Sequence, residues 1–150
     1  MNTLNIVPFD NALHRSQVIE VWRKSFGYDT PHNEPGLVID KKLAVQDSLF
    51  FVAVVAGEVI GTVMAGYDGH RGWLYSVAVS PGHRKLGAGR QLVLHAEQAL
   101  AARGCLKINL QLLATNAAVA AFYTSLGYAV EPRVSMGKLI PENIPVASSC

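Results

Sequence analysis

Three apolar runs follow one another between residues 49 and 79: LFFVAVVA (49–56), VIGTVMAGY (59–67) and WLYSVAV (73–79). Gly57-Glu58 separates the first two, and Asp68-Gly69 opens the gap before the third. Short apolar runs joined at glycine turns are the signature of a meander, in which antiparallel strands lie side by side. The third run stops at Ser80-Pro81-Gly82, because proline has no N–H with which to extend a ladder. A fold for this chain must contain that sheet and cover its faces.

The covering elements are legible on either side. Residues 4–9 form a short apolar run ending at Asp10, which can cap a helix. Val18, Val21, Trp22 and Phe26 then recur at helical spacing, and Gly27 suits the position after a helix end. Residues 28–36 (YDTPHNEPG) read as a loop, and a weaker helical pattern spans residues 37–45. From about Gly87 the period changes again: Leu92, Val93, Ala96, Ala99 and Leu100 make one apolar stripe, stopped by Gly104. Residues 107–113 read as a strand, and residues 116–126 as a helix capped by Thr115 or Asn116 and closed by Gly127. Residues 128–131 and 134–140 read as two last short strands, and the tail from about 141 as irregular. The order βααβββαβαββ predicts an α+β (mixed α/β) fold, a mostly antiparallel sheet of about seven strands flanked by helices.

Composition narrows the function classes. A chain of 150 residues is predicted to form one domain (1–150) with its own core. Half of the residues are hydrophobic and 16% are charged, which excludes global disorder. A net charge of +2 gives no electrostatic reason to expect nucleic acid as a partner. No apolar stretch approaches the length of a membrane helix, so no membrane partner is expected. The N-terminal residues show no basic region followed by an apolar one, and the two cysteines, Cys105 and Cys150, make no disulfide framework. A cytoplasmic location is the expectation. The five histidines fall at no paired ligand spacing, so no metal is expected, and no nucleophile-elbow motif occurs.

The chemistry is carried by residues 77–93, VAVSPGHRKLGAGRQLV, which join a strand to a helix. Gly87 and Gly89 allow a tight turn and bring bare N–H groups close to a ligand. The helix that follows adds unsatisfied donors and the positive end of its dipole. Arg84, Lys85 and Arg90 bring positive charge. The segment reads as a phosphate cradle, its alternative being an ordinary helix start that contains two glycines; neither a Walker loop nor a dinucleotide G-x-G-x-x-G is present.

The stretch V-A-V-x-P-x-x-R-x-x-G-x-G, residues 77–89, resembles the acyl-CoA-binding signature of the GNAT family of N-acetyltransferases. Residues 116–128, NAAVAAFYTSLGY, resemble the same family's N-x-x-A-x-x-F-Y-x-x-x-G-[F/Y] segment. The element order matches over nearly the whole chain, and residues 48–72 further resemble the bacterial YpeA-like branch. The resemblance implies a GNAT-like sheet splayed at the fourth and fifth strands, with acetyl-CoA as the acyl donor. On that pattern the backbone of Val77 and Val79 runs beside the pantetheine arm. An amide of Val77 or Ala78 polarises the thioester carbonyl. Amides from Lys85 through Leu86, Gly87, Ala88 and Gly89 to Arg90 hold the pyrophosphate. Asn116 bonds the pantetheine region or serves as a helix cap. Tyr123 protonates the departing thiolate as the general acid, its alternative being aromatic packing beside Phe122. The implied activity is N-acetyl transfer by direct attack of a primary amine, either a small molecule or a protein amino group. The alternative is a non-catalytic acyl-CoA-binding or sensing module. A homodimer is a further expected assembly.

The general base is the open position. In the ribosomal-protein N-terminal acetyltransferases of this family a glutamate on the fifth strand serves, and the matching residue here is Gln111, which takes no proton. Asp29, His32, Glu34, Asp68, His70 and Tyr75 are the other candidates, each with an ordinary role as a loop, turn or sheet residue, and a water chain is the alternative. His83 beside the cradle is a candidate phosphate or ribose contact, its alternative being a solvated turn residue.

Overall fold

The computed structural model describes residues 3–27, 30–84 and 86–142. The chain divides into two compact units between Thr115 and Asn116. The first holds β1 (Leu4–Pro8), α1 (Asn11–Ser25), α2 (Pro35–Val45), β2 (Phe50–Val55), β3 (Glu58–Tyr67), β4 (Gly72–Val79), α3 (Ala88–Ala101) and β5 (Ile108–Leu110). The second holds α4 (Ala117–Ser125).

The meander is present as read. The sheet order is β1-β2-β3-β4-β5, antiparallel from β1 to β4, with β5 parallel to β4. Asp10 caps α1 by accepting from the Leu13 amide at 3.1 Å. α2 begins two residues before the sequence pattern suggests. Glu34 accepts from the amides of Gly36 and Leu37, and Pro35 sits at the first helical position, where its missing N–H costs nothing.

Each sheet face has its own cover. α1 and α2 bury Val18, Val21, Trp22 and Ile39 against Phe50, Val52, Met64 and Ala78. α3 lies on the opposite face, since side chains of successive strand residues alternate and Gly61 faces Leu92 whereas Thr62 bonds Trp22 of α1. The apolar stripe expected on α3 is buried at Leu92, Val93, Ala96 and Leu100.

The strand count corrects the reading of about seven. Among the described residues the sheet has five strands, and residues 128–131 and 134–140 form none. Pro132 lacks an N–H, Arg133 donates to the Glu131 carbonyl in a local turn, and Val130, Val134 and Met136 are almost fully exposed. Alternation is present there without an apolar surface to cover. β5 is likewise shorter than residues 107–113, and Leu113 at the far end of that run is largely exposed.

Candidate active site

β4 is an irregular strand. Its partners on β3 run Tyr75↔Met64 and then Ala78↔Thr62, so Ser76 and Val77 together face the single residue Val63. Such a bulge bends a strand and re-aims its backbone groups. Ser76 takes a left-handed conformation, with φ of 51°, which a residue with a Cβ adopts reluctantly. The carbonyl of Ser76 accepts from the Thr62 hydroxyl at 2.8 Å, and the Thr62 oxygen accepts from the Trp22 indole N–H at 2.8 Å. Trp22 and Thr62 are both fully buried.

The other edge of β4 is splayed as the sequence resemblance implied. β5 pairs with it only at Gly72, Trp73 and Leu74. Among the described residues no strand lies against that edge from Tyr75 to Val79. The Ser80 amide donates to the Ile60 carbonyl at 2.7 Å, toward β3. Strand alternation then turns the Ala78 amide toward β3 and the amides of Val77 and Val79 toward the open edge. Of the two amides expected as carbonyl donors, Val77 has the orientation and Ala78 does not.

The open edge runs into the start of α3. A single 3-10 turn, Pro81–His83, leads to Arg84, whose Nε donates back to the Val79 carbonyl at 3.3 Å. Lys85 lies outside the described residues. Gly87 has φ of 74°, and a Cβ built on it meets nothing within 4 Å. It occupies the cap position of α3, where no side chain bonds the first turn and no acidic residue follows. The amides of Ala88, Gly89 and Arg90 therefore have no intrahelical acceptor, and the dipole adds its positive end. Leu86 and Arg90 are exposed, Gly89 is half-buried and Ala88 is fully buried. His83 Nδ1 is buried without a partner among the described residues. An anion with several oxygens fits that set of donors and charges.

In the second unit Asn116 caps α4 by accepting from the Val119 amide at 3.2 Å. Tyr123 is 8% exposed, with its ring edge-on to Phe122 at 5.0 Å and to Tyr128 at 5.6 Å. Burial pushes the Tyr123 phenol up to about 12, because ionisation would place a charge out of water.

Two of the base candidates are engaged by backbone amides. The amides of Gly36 and Leu37 hold the Glu34 carboxyl below the usual range, as expected of a helix cap and not of a base. The Asp68 carboxyl is held low by the amides of Arg71 and His70, both at 2.8 Å. His32 and His70 are exposed, and Asp29 lies outside the described residues. Tyr75 is 40% exposed on β4, with the ammonium of the buried Lys42 5.3 Å from its ring centre. Gln111 directly follows β5. Among the described residues no cluster of His, Cys, Asp or Glu could hold a metal, and no helix is long and apolar enough to cross a membrane.

Sequence reasoning read Trp22 only as part of an apolar helical stripe and passed over Thr62 and Ser76. The available signal was a hydroxyl inside the apolar run VIGTVMA, since such a group needs a partner once buried.

A model of the acetyltransferase (GNAT) family matches residues 15–128. Acetyltransferase SG1711 of Sodalis glossinidius (strain morsitans) is 41% identical over 128 residues, which are 85% of this chain and 89% of that protein. Among solved structures, the PaiA N-acetyltransferase of Thermoplasma acidophilum in complex with coenzyme A superposes with a TM-score of 0.77. It is 19% identical, over 88% of this chain and 93% of that one. The aminoglycoside N-acetyltransferase AAC(6')-Iy in complex with CoA has a TM-score of 0.75 at 17% identity, over 93% and 96% of the two chains. At these identities the two structures share the fold.

Proposed function

The chain belongs to the GNAT family of acetyltransferases and transfers an acetyl group from acetyl-CoA to an amine, and we propose how its residues do so. One observation carries the proposal: an open β4 edge leads directly into the uncapped first turn of α3. The amides of Leu86 through Arg90, with Arg84 and Lys85, hold the pyrophosphate. The amides of Val77 and Val79 bond the pantetheine arm and the thioester. Asn116 contacts the pantetheine region in addition to capping α4.

For the chemistry, the amine nitrogen forms a bond to the thioester carbon and the carbon–sulfur bond breaks. Negative charge building on the carbonyl oxygen is met by the Val77 amide. Tyr123 gives its phenolic proton to the departing sulfur, and its phenolate is reprotonated from solvent. The proton lost from the amine leaves through water. This route needs no carboxylate at Gln111 and is favoured by the engagement of Glu34 in a helix cap and of Asp68 in a turn. Motif position and burial support Tyr123, because a buried phenol keeps its proton through the neutral range.

The acceptor is a small primary amine or a protein amino group. We place the enzyme in the cytoplasm, where the free thiol of Cys105 stays reduced. We also propose a homodimer, supported by the exposed Leu106 and Leu113 beside β5 and testable by light scattering.

Calorimetry with acetyl-CoA on the wild type and on a Gly87→Glu, Gly89→Glu variant tests the cradle. The wild type binds and the folded variant loses at least about 100-fold in affinity, since two carboxylates face the pyrophosphate. Equal affinity in both would remove the cradle from this account.

A further inference from the structure

We propose that Trp22 and Thr62 are positioning residues that aim the Val77 amide at the thioester oxygen, an inference resting on the donor role just given to Val77. The observation is a chain of hydrogen bonds that ends on one peptide group. The Trp22 indole N–H donates to the Thr62 hydroxyl, and that hydroxyl donates to the Ser76 carbonyl. The Ser76 carbonyl and the Val77 N–H belong to the same planar trans peptide unit, so they point in opposite directions. Holding the oxygen toward the core therefore drives the N–H toward the open edge of β4.

Two further features make the brace more than packing. Ser76 carries the left-handed backbone of the bulge without being glycine, so an external hold on its carbonyl is what keeps that conformation in place. In addition, hydrogen bonds in series polarise one another. A carbonyl that accepts from Thr62 makes the amide on the other side of the same unit a stronger donor. The brace thus sets both the direction and the strength of the group that meets the developing charge, although neither side chain touches the donor substrate.

Isotope-edited infrared spectroscopy of the thioester carbonyl of bound acetyl-CoA reads this directly, with CoA affinity measured alongside. Wild type shifts the carbonyl stretch to lower frequency. Thr62→Val loses at least half of that shift while its affinity for CoA, which has no acyl carbonyl, changes by less than about threefold. Thr62→Ser, which retains the hydroxyl, keeps the shift. Should Thr62→Val fail to fold around an unpaired indole, the Trp22→Phe, Thr62→Val double variant replaces donor and acceptor together and is read the same way. A folded Thr62→Val or double variant with the full wild-type shift overturns the brace. Wild type that binds acetyl-CoA with no shift overturns the proposal through the Val77 donor reading instead. The two failures are told apart by the wild-type shift itself, present in the first case and absent in the second. Absence of acetyl-CoA binding overturns both.

Discussion

Replacing Tyr123 with Phe gives a perturbation whose size follows from burial. Its phenol rises from 10.0 to about 12 in the folded protein, and the cause is desolvation. A raised value means that the folded state prefers the protonated phenol. The stabilisation is fully present below about pH 10, where the unfolded chain also keeps its proton, and is lost between about pH 10 and pH 12. Two units correspond to about 2.7 kcal/mol as a ceiling, and residual solvent contact brings the expected figure to about 2 kcal/mol. Urea unfolding of wild type and Tyr123→Phe at a series of alkaline pH values isolates this contribution, because every other titrating group is common to both. Wild type should lose about 2 kcal/mol more than the variant across that window. The same phenol should stay protonated throughout the range in which an amine acceptor loses its proton. Turnover should therefore rise with pH to a plateau, with no descending limb from Tyr123 below about pH 11, and Tyr123→Phe should lower kcat by about 100-fold with CoA affinity kept. Parallel alkaline destabilisation of the two proteins would refute the burial argument, and unchanged kcat would refute the acid role.

Other substitutions probe the frame around the site. Gly61→Ala places a Cβ 2.9 Å from both the Ala78 carbonyl oxygen and Leu92 Cδ1, and should cost about 1–3 kcal/mol in a urea melt. Lys42 pairs with Asp47 at 2.7 Å and also donates to the Ala65 carbonyl while almost fully buried. Lys42→Met should therefore destabilise by about 2–4 kcal/mol, read from the same melt, and a neutral result would mean that water reaches Asp47 freely. Asp10→Ala removes the α1 cap and should lower stability by about 1 kcal/mol in thermal unfolding.

The readable parts of the sequence were those with local causes. The meander follows from apolar runs and glycine turns, the start of α1 from Asp10, and the strand-to-helix turn at Gly87 from its need for positive φ. The two motifs supplied the candidate site residues. Their assignment to one amide required the strand to be seen. A bulge at Ser76 leaves no mark on composition or period, because the conformation is held from outside by Thr62. Without the bulge, Val77 and Ala78 are equivalent candidates. Residues 128–140 show the opposite failure, since alternation predicted strands where Val130, Val134 and Met136 face solvent. Glu34 and Asp68 were legible as carboxylates, but their use as caps depends on amides two and three residues on.

The glycines beneath α3 carry a mechanical consequence. Gly61 lies under Leu92 near one end of the helix. Gly72 lies under Leu100 near the other, where a Cβ would sit 2.7 Å from Cys105 Sγ and 2.9 Å from Leu100 Cδ1. The helix rests on two feet, and the height of each is set by the absence of a single methyl group. A shift of the far foot at Gly72 that Leu100 does not take up by turning aside would tilt a rod whose other end carries the unpaired amides at Ala88, about 18 Å away at 1.5 Å per residue. On the proposed role of those amides, whatever part of a change at Gly72 the side chains of Leu100 and Cys105 do not absorb reaches the acyl donor through the helix, with every contact residue left in place.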